Sequence, residues 1–356
     1  MKIIQFLLYP FAFLYAVSIK LWSWMYKRGY WGKSNFSVPI ISVGNIQAGG
    51  TGKTPMVEYL CSILTPNYHV SVLSRGYKRL TFGFRIVSHS DGFKEVGDEP
   101  AWLKRKYPQV NIGVAENRVE GIPNLVGHAL HTDCIILDDG FQQQGIRTDL
   151  NILLTTYHAP YTKDHFLPVG KLREGIGEAK RADIIIVTKC PENLLKKKTQ
   201  VLQELNIHLE NHQTTFLSSI YYASPYLMNY EGIQLYLQKT DTVLLLTGIA
   251  DSSPLVHYIE SKVNNIKHLK FSDHYRYRPE DIVIIHKEFE KLSSSGRTLL
   301  LTTEKDAARL VDYKSQIKEL QLEIYVQPIL LKWDEEEQLK ETIQNVLPEK
   351  VEEESI

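Results

Sequence analysis

Short apolar runs alternate with helical patterns over most of the chain. Residues 38–43, 69–73, 110–115, 134–137, 150–154 and 184–188 are nearly continuous apolar stretches, as expected for strands covered on both faces of a mostly parallel sheet. Helical patterns lie between them, over 98–107 and onward from about residues 53 and 117. Such alternation predicts βαβ units and a layered α/β domain. Residues 82–88 alternate as the arm of a β-hairpin would. From 207 to 240 the pattern breaks into short Tyr-rich pieces, 215–220 and 233–237, which read as a linker ribbon. A second alternation follows, with strands at 242–246, 266–271, 298–302 and 322–326 and helices starting near Ser253 and Pro279.

This pattern predicts an α/β fold of two α/β/α layered domains. The expected boundaries are an N-terminal helix over 1–30, a phosphate-loop domain over 31–206, the ribbon over 207–240, a smaller α/β domain over 241–333, and an acidic helix with a frayed tail over 334–356.

Residues 3–26 are apolar and aromatic almost all round. A bilayer span needs about 20 apolar residues, and Pro10 and Lys20 shorten the uninterrupted run. No small-residue cleavage site marks a secretory signal. The favoured reading is a helix at a membrane interface, with Trp22, Trp24, Tyr26 and Tyr30 at headgroup level and Lys27 and Arg28 on anionic lipid. The competing reading is a helix packed on the domain's own core.

Composition changes the picture little. The 41 basic and 41 acidic residues cancel, so bulk charge selects no partner and gives no reason to expect nucleic acid or an obligate protein partner. Their distribution is uneven: no Asp or Glu precedes Glu58, whereas Lys2, Lys20, Lys27, Arg28, Lys33 and Lys53 fall in that segment. Cys61, Cys134 and Cys190 have no metal-type spacing, which fits a reducing compartment.

The chemistry centres on Gln47-Ala48-Gly49-Gly50-Thr51-Gly52-Lys53-Thr54, set between a strand and a helix. Backbone N–H groups converge on phosphate oxygens only where side chains leave room, which is what Gly49, Gly50 and Gly52 provide. Lys53 would neutralise the outer phosphates, Thr54 would offer a hydroxyl to Mg²⁺, and the helix would point its positive end at the nucleotide. The general motif has Gly where this chain has Gln47. Asp138 and Asp139 end an apolar strand, where such folds carry the carboxylate that holds Mg²⁺. Asp98 and Glu99 open a helix and are candidate bases for a hydroxyl proton, or simple capping residues. His274 follows a strand of the second domain. Arg75 and Arg118 lie near strand ends and could grip a phosphate. Thr188-Lys189 faintly matches a guanine-reading motif that lacks its Asp, and Thr303 with Asp306 makes a helix-start box.

Several of these pieces occur in one order: Val43-Gly44-Asn45, Gly49 through Pro55, Ser74-Arg75-Gly76-Tyr77, Gly97-Asp98-Glu99-Pro100, Asp138-Asp139-Gly140-Phe141-Gln142, Leu167-Pro168 through Leu172-Arg173-Glu174, Asp273-His274 and Thr303-Glu304-Lys305-Asp306-Ala307. Together they resemble the tetraacyldisaccharide 4′-kinase family of the lipid A pathway, over about residues 5–330. The resemblance implies two α/β domains joined by a β-ribbon, an N-terminal helix that engages the inner membrane of a Gram-negative bacterium from its cytoplasmic face, and transfer of the γ-phosphate of ATP·Mg²⁺ to the 4′-hydroxyl of a tetraacyl disaccharide 1-phosphate. It also implies that Asp98 is the base, paired with His274, and that Lys53, Thr54, Glu99, Asp138, Asp139 and Gln142 serve nucleotide and metal. Two other classes remain as alternatives. One is a membrane-cycling regulatory ATPase of the partition type, against which Ala48 counts because those proteins resemble one another in a lysine there. The other is a ligase of the biotin-pathway kind, which would leave the aromatic N-terminus without a task.

Overall fold

The computed structural model describes residues 2–129, 131–228, 234–273, 275–293 and 296–349. After an N-terminal helix α1 (Lys2–Lys27), the chain forms β1 (Ile40–Gly44), α2 (Lys53–Leu64), β2 (Val70–Ser74), β3 (Arg85–Ile86), α3 (Phe93–Val96), α4 (Asp98–Lys106), β4 (Asn111–Val114), α5 (Arg118–His128), β5 (Cys134–Asp138), β6 (Leu150–Thr156), β7 (Ile184–Thr188) and α6 (Lys198–Glu204). A long strand, β8 (Thr214–Tyr222), leads to β9 (Tyr226–Leu227), β10 (Thr242–Thr247), α7 (Ser253–Lys262), β11 (Asn265–Lys270), α8 (Pro279–Ser293), β12 (Thr298–Thr303), α9 (Glu304–Leu310), α10 (Lys314–Glu319) and β13 (Ile324–Gln327). The chain closes with β14 (Ile329–Trp333) and α11 (Glu336–Gln344).

Among the described residues these strands make two sheets, ordered β14-β8-β7-β6-β1-β5-β2-β4-β3 and β11-β10-β12-β13-β9. β1 lies inside the first, parallel to β5 on one side and β6 on the other. All five of its residues are buried, as are all of β2, β5 and β7, which is why these strands read as unbroken apolar runs. Parallel pairing puts the carboxyl ends of β1, β2, β5 and β7 along one edge, where an open α/β sheet gathers its ligands.

The 207–240 segment is more ordered than a bare linker. The first half of β8 pairs in parallel with β7, and its second half, from Ser218 to Tyr222, pairs antiparallel with β14. This two-stranded ribbon joins the α/β layers. Of the ribbon piece expected at 233–237, Ile233 lies outside the described residues.

The C-terminal boundary needs a correction. The sequence pattern put residues up to 333 in the second domain and left 334–356 as a charged helix and tail. Instead β14 returns to the first sheet, and Trp333, Leu339, Ile343 and Leu347 pack in the same core as Val57, Leu60 and Leu64 of α2. The sequence hid this because α11 is acidic on its outer face and only two of its residues, Leu339 and Ile343, are buried. Charge density masked a narrow apolar stripe.

α1 docks by a strip and leaves the rest open. Ala12 and Ser23 are buried, the Tyr15 hydroxyl donates to the Arg173 carbonyl (3.1 Å), Tyr26 lies over Gly145, and Lys27 pairs with Glu178 (2.7 Å). Leu7, Phe11, Phe13, Leu14, Val17, Leu21 and Trp24 are exposed. Residues 7, 11, 14, 21 and 24 recur at helical spacing, so an apolar stripe runs along one outward face. The reading of α1 as a wholly packed core helix is therefore overturned. By length and composition the helix could cross a bilayer.

The buried Leu339 gives the boundary correction a test. Leu339→Ala should destabilise the chain by about 2–5 kcal/mol, the cost of a large-to-small change in a core, read as a lower denaturant midpoint. An unchanged midpoint would mean that α11 is frayed in solution.

Candidate active site

Residues 47–54 leave the carboxyl end of β1 and enter α2, whose N-cap is Gly52 in the left-handed region (φ 94°). Gly49 is also at positive φ (122°), so the loop turns where side-chain-bearing residues would be strained. The loop is held from three sides. Asn45 donates to the Thr51 hydroxyl (2.6 Å), Thr188 donates to the Thr51 carbonyl (2.8 Å), and Ala48 N–H donates to the Lys171 carbonyl (2.7 Å). Gln47 explains its departure from the general motif. It is buried, bridges to Leu172, and donates to Asp164 (3.0 Å), so the 164–174 segment takes the place of a free glycine turn.

The acids lie around this loop. Asp138, the last residue of β5, accepts from Ser74 (2.8 Å) through Oδ2, while its buried Oδ1 has no hydrogen-bond partner among the described residues. A small cavity beside it is lined by Thr54, Ser74, Glu99 and Asp138. Burial, with the charges of Glu99 and Asp139 added, pushes the Asp138 carboxyl well above its usual range. Asp139 is half-buried, and the Arg173 guanidinium and Lys53 hold it down at about 2. Arg173 forks onto both Asp139 oxygens (3.0 and 3.1 Å) and also reaches Asn45, and Lys53 Nζ stands 3.5 Å from Asp139. Burial alone would raise Glu99, but Lys305, the Thr54 hydroxyl and Lys53 carry it below its ordinary value. Gln142 donates to the Asn45 carbonyl at the base of the loop.

Asp98 and Glu99 open α4 directly after Gly97 (φ 93°). At Gly97 a Cβ would meet the Gly76 backbone at 3.0 Å, so the 74–77 turn after β2 and the start of α4 touch backbone to backbone. Both acids are met by cations from α9 of the second layer. Arg309 Nε and Nη2 lie 2.9 and 2.8 Å from Asp98 Oδ2, and Lys305 pairs with Glu99. Arg309 also donates to Asp306 and to the Gly248 carbonyl, so its position is fixed by the second layer's own core. Farther along α4, Lys106 bridges Glu58 (2.6 Å) and Glu304 (2.8 Å).

The sequence-predicted residues thus divide. Residues 47–54, Glu99, Asp138, Asp139 and Gln142 converge on one site, and Asp98 stands beside it. Arg118 is buried near Asp138 and Asp139 and donates to the Glu116 carbonyl (3.0 Å), whereas Arg75 is exposed at the end of β2. His274 lies outside the described residues. Thr188-Lys189 braces the loop from β7. The Thr303–Asp306 box forms, with the Thr303 hydroxyl accepting from Asp306 N–H (3.1 Å). Sequence reasoning missed Ser74, Arg173, Lys305 and Arg309. Each falls inside a quoted motif or just after one, but their targets lie 34 to 211 residues away.

The model of the family described as tetraacyldisaccharide-1-P 4′-kinase matches residues 4–348. The chain belongs to this family. The tetraacyldisaccharide 4′-kinase of Parabacteroides distasonis is 39% identical over 345 residues, spanning 95% of this chain and 93% of that protein. That of Phocaeicola vulgatus is 36% identical, over 90% of this chain and 89% of its own length. Among solved structures, the LpxK of Aquifex aeolicus in complex with ATP is similar at a TM-score of 0.76 and 29% identity, covering 97% of this chain and all of that one.

Arg309 tests whether its joint pairing with Asp98 and Asp306 persists in solution. Arg309→Met would leave Asp98 and Asp306 short of their cation in a buried place. Breaking a buried pair from one side costs about 3–5 kcal/mol, so the denaturant midpoint should fall accordingly. A change below about 1 kcal/mol, the range of solvent-exposed pairs, would mean that neither acid depends on Arg309 in solution.

Proposed function

We propose that this kinase transfers the γ-phosphate of ATP to the 4′-hydroxyl of a tetraacyl disaccharide 1-phosphate, the lipid A precursor, using residues 47–54 to hold the nucleotide. The observation that carries this reading is the convergence of the glycine loop, Lys53 and three carboxylates from β5 and α4 on one cleft in a member of this family. The donor set fits Mg²⁺, because the partnerless buried Asp138 Oδ1 faces a cavity that Thr54 and Glu99 also line, and hard oxygens are what that ion takes. Thr54, Glu99 and Asp138 would hold the metal, with Asp139 and Gln142 behind them. Bound there, Mg²⁺ supplies neutralisation of the phosphate charge.

The chain's own groups do the remaining work. N–H groups of the loop and Lys53 orient the phosphates. Asp98 takes the proton of the attacking hydroxyl, with His274 as its partner. Arg309 holds one Asp98 oxygen fixed, so the orientation of the base depends on contact between the two layers. Closing them would also exclude water from the γ-phosphate until the sugar arrives. Arg75, exposed at the rim, suits the 1-phosphate of the substrate, whereas the burial of Arg118 beside Asp138 and Asp139 suits the nucleotide side.

The lipid substrate gives α1 its task. Its exposed stripe, from Leu7 to Trp24, would lie in the interface of the inner membrane on the cytoplasmic side, with Arg28 and Lys33 toward anionic headgroups.

Asp98→Ala should lower phosphate transfer in mixed micelles by about 10²–10⁴-fold, the range for loss of a general base, while ATP binding stays at its wild-type value. Loss of ATP binding in equal measure would assign Asp98 to the nucleotide instead. For the membrane reading, Leu14→Asp combined with Val17→Asp should abolish sedimentation with anionic vesicles and keep ATP binding. Sedimentation unchanged by both substitutions would remove α1 from the membrane.

A further inference from the structure

The end of the first sheet away from the nucleotide carries a second constellation. His69 precedes β2 and Asp133 precedes β5, and these strands are paired neighbours, Val70 beside Cys134. The two positions are cross-locked. Asp133 N–H donates to the His69 carbonyl (2.9 Å), and His69 N–H donates to Asp133 Oδ2 (2.7 Å). Between His131 and Asp133, the Thr132 hydroxyl is hydrogen-bonded to Ser71 of β2 (2.9 Å). The His131-Thr132-Asp133 turn is therefore pinned to the same strand that positions His69.

On this frame His69 Nδ1 lies 3.1 Å from Asp133 Oδ2, and His131 Nε2 lies 2.9 Å from Asp133 Oδ1. The imidazoles stand nearly perpendicular, their centroids 4.9 Å apart. One ligand atom from each of the three residues falls within 4.8 Å of the other two. Tetrahedral Zn²⁺ with N and O ligands at about 2.0–2.2 Å sets neighbouring ligand atoms a little over 3 Å apart, so a small rotation of two exposed rings would close the set on one ion.

We infer that His69, His131 and Asp133 form a binding site for a divalent transition ion of the zinc class, separate from the Mg²⁺ that serves the nucleotide. Two imidazoles with one carboxylate suit zinc over magnesium, which prefers an all-oxygen shell. Asp133 is prepared for the role: the His69 N–H on Oδ2 fixes its orientation and leaves Oδ1 to ligate, as an outer-shell hydrogen bond does in metal sites. The neighbouring Cys134 takes no part, because its side chain is buried in the core of the first sheet. Water would complete the coordination, since both rings are open to solvent. The five-residue β2 and β5 separate this site from the phosphate loop by about 15 Å at roughly 3.3 Å per residue.

The full chain, stripped with chelator, should be titrated calorimetrically with Zn²⁺, with and without saturating ATP·Mg²⁺. One Zn²⁺ per chain should bind in both, because the sites share no residue. His131→Ala, an exposed change that leaves the strand lock intact, should weaken this binding by at least about tenfold, the loss that even an outer-shell partner brings. Asp133→Asn keeps an oxygen for the His69 N–H and should weaken it likewise, with an unchanged circular dichroism spectrum. Absence of a one-to-one isotherm in the wild type, or an isotherm that His131→Ala leaves in place, overturns the site.

Discussion

The cleft depends on crowding three carboxylates together where water is partly excluded. Glu99, Asp138 and Asp139 crowd round the start of α2, and without cations beside them they would take up protons. The chain brings its compensation from three directions. Lys53 comes from the phosphate loop, Arg173 from the 164–174 segment, and Lys305 from α9 of the second layer. The outcome differs from acid to acid. Asp139, forked by Arg173, stays ionised, whereas Asp138 has only Ser74 in direct contact and is driven toward the neutral form. The acid that lacks a cation is the one with an unpartnered oxygen. Charge deficiency is thus concentrated at the position where a bound cation gains most.

The same constraint couples the two layers. Among the described residues, no buried apolar cluster joins the second sheet to the phosphate loop. Contact runs instead through α4 and α9, by Arg309 on Asp98, Lys305 on Glu99 and Lys106 between Glu58 and Glu304. Ionic contacts of this kind are specific in geometry but add little net stability against solvation. A joint made of them can open and close, which a joint made of interlocked leucines does less readily. An enzyme that must admit both a nucleotide and a lipid needs the first kind.

How much of this the sequence could show follows from range. Strands buried on both faces declare themselves as apolar runs, and a phosphate loop is eight consecutive residues, so both were legible. Ser74, Arg173, Lys305 and Arg309 were not, because an arginine acquires its meaning from the acid opposite, and here that acid belongs to another segment. The return of β14 to the first sheet was hidden for a related reason. A five-residue strand carries no mark of which sheet it joins, and the acidic surface of α11 outweighs the two side chains that dock it. The site of His69, His131 and Asp133 has the same character: His-x-Asp is unremarkable until the parallel pairing of β2 with β5 sets a second histidine beside it.

The placement of α1 gives these parts a mechanical connection. Its docked strip meets the 164–181 region at Tyr15, Tyr9 and Lys27, by a hydrogen bond to the Arg173 carbonyl, an edge-on contact with His165 and an ion pair with Glu178. That region in turn reaches the loop, since Lys171 accepts from Ala48 and the Arg173 side chain forks onto Asp139. The helix with the apolar stripe is therefore one residue removed from the cation that keeps Asp139 charged. A shift of α1 against the body of the protein would act directly on the Arg173 backbone. A helix that served only as a tether would need no such contact, so the exposed apolar stripe and the phosphate loop are held by a single segment.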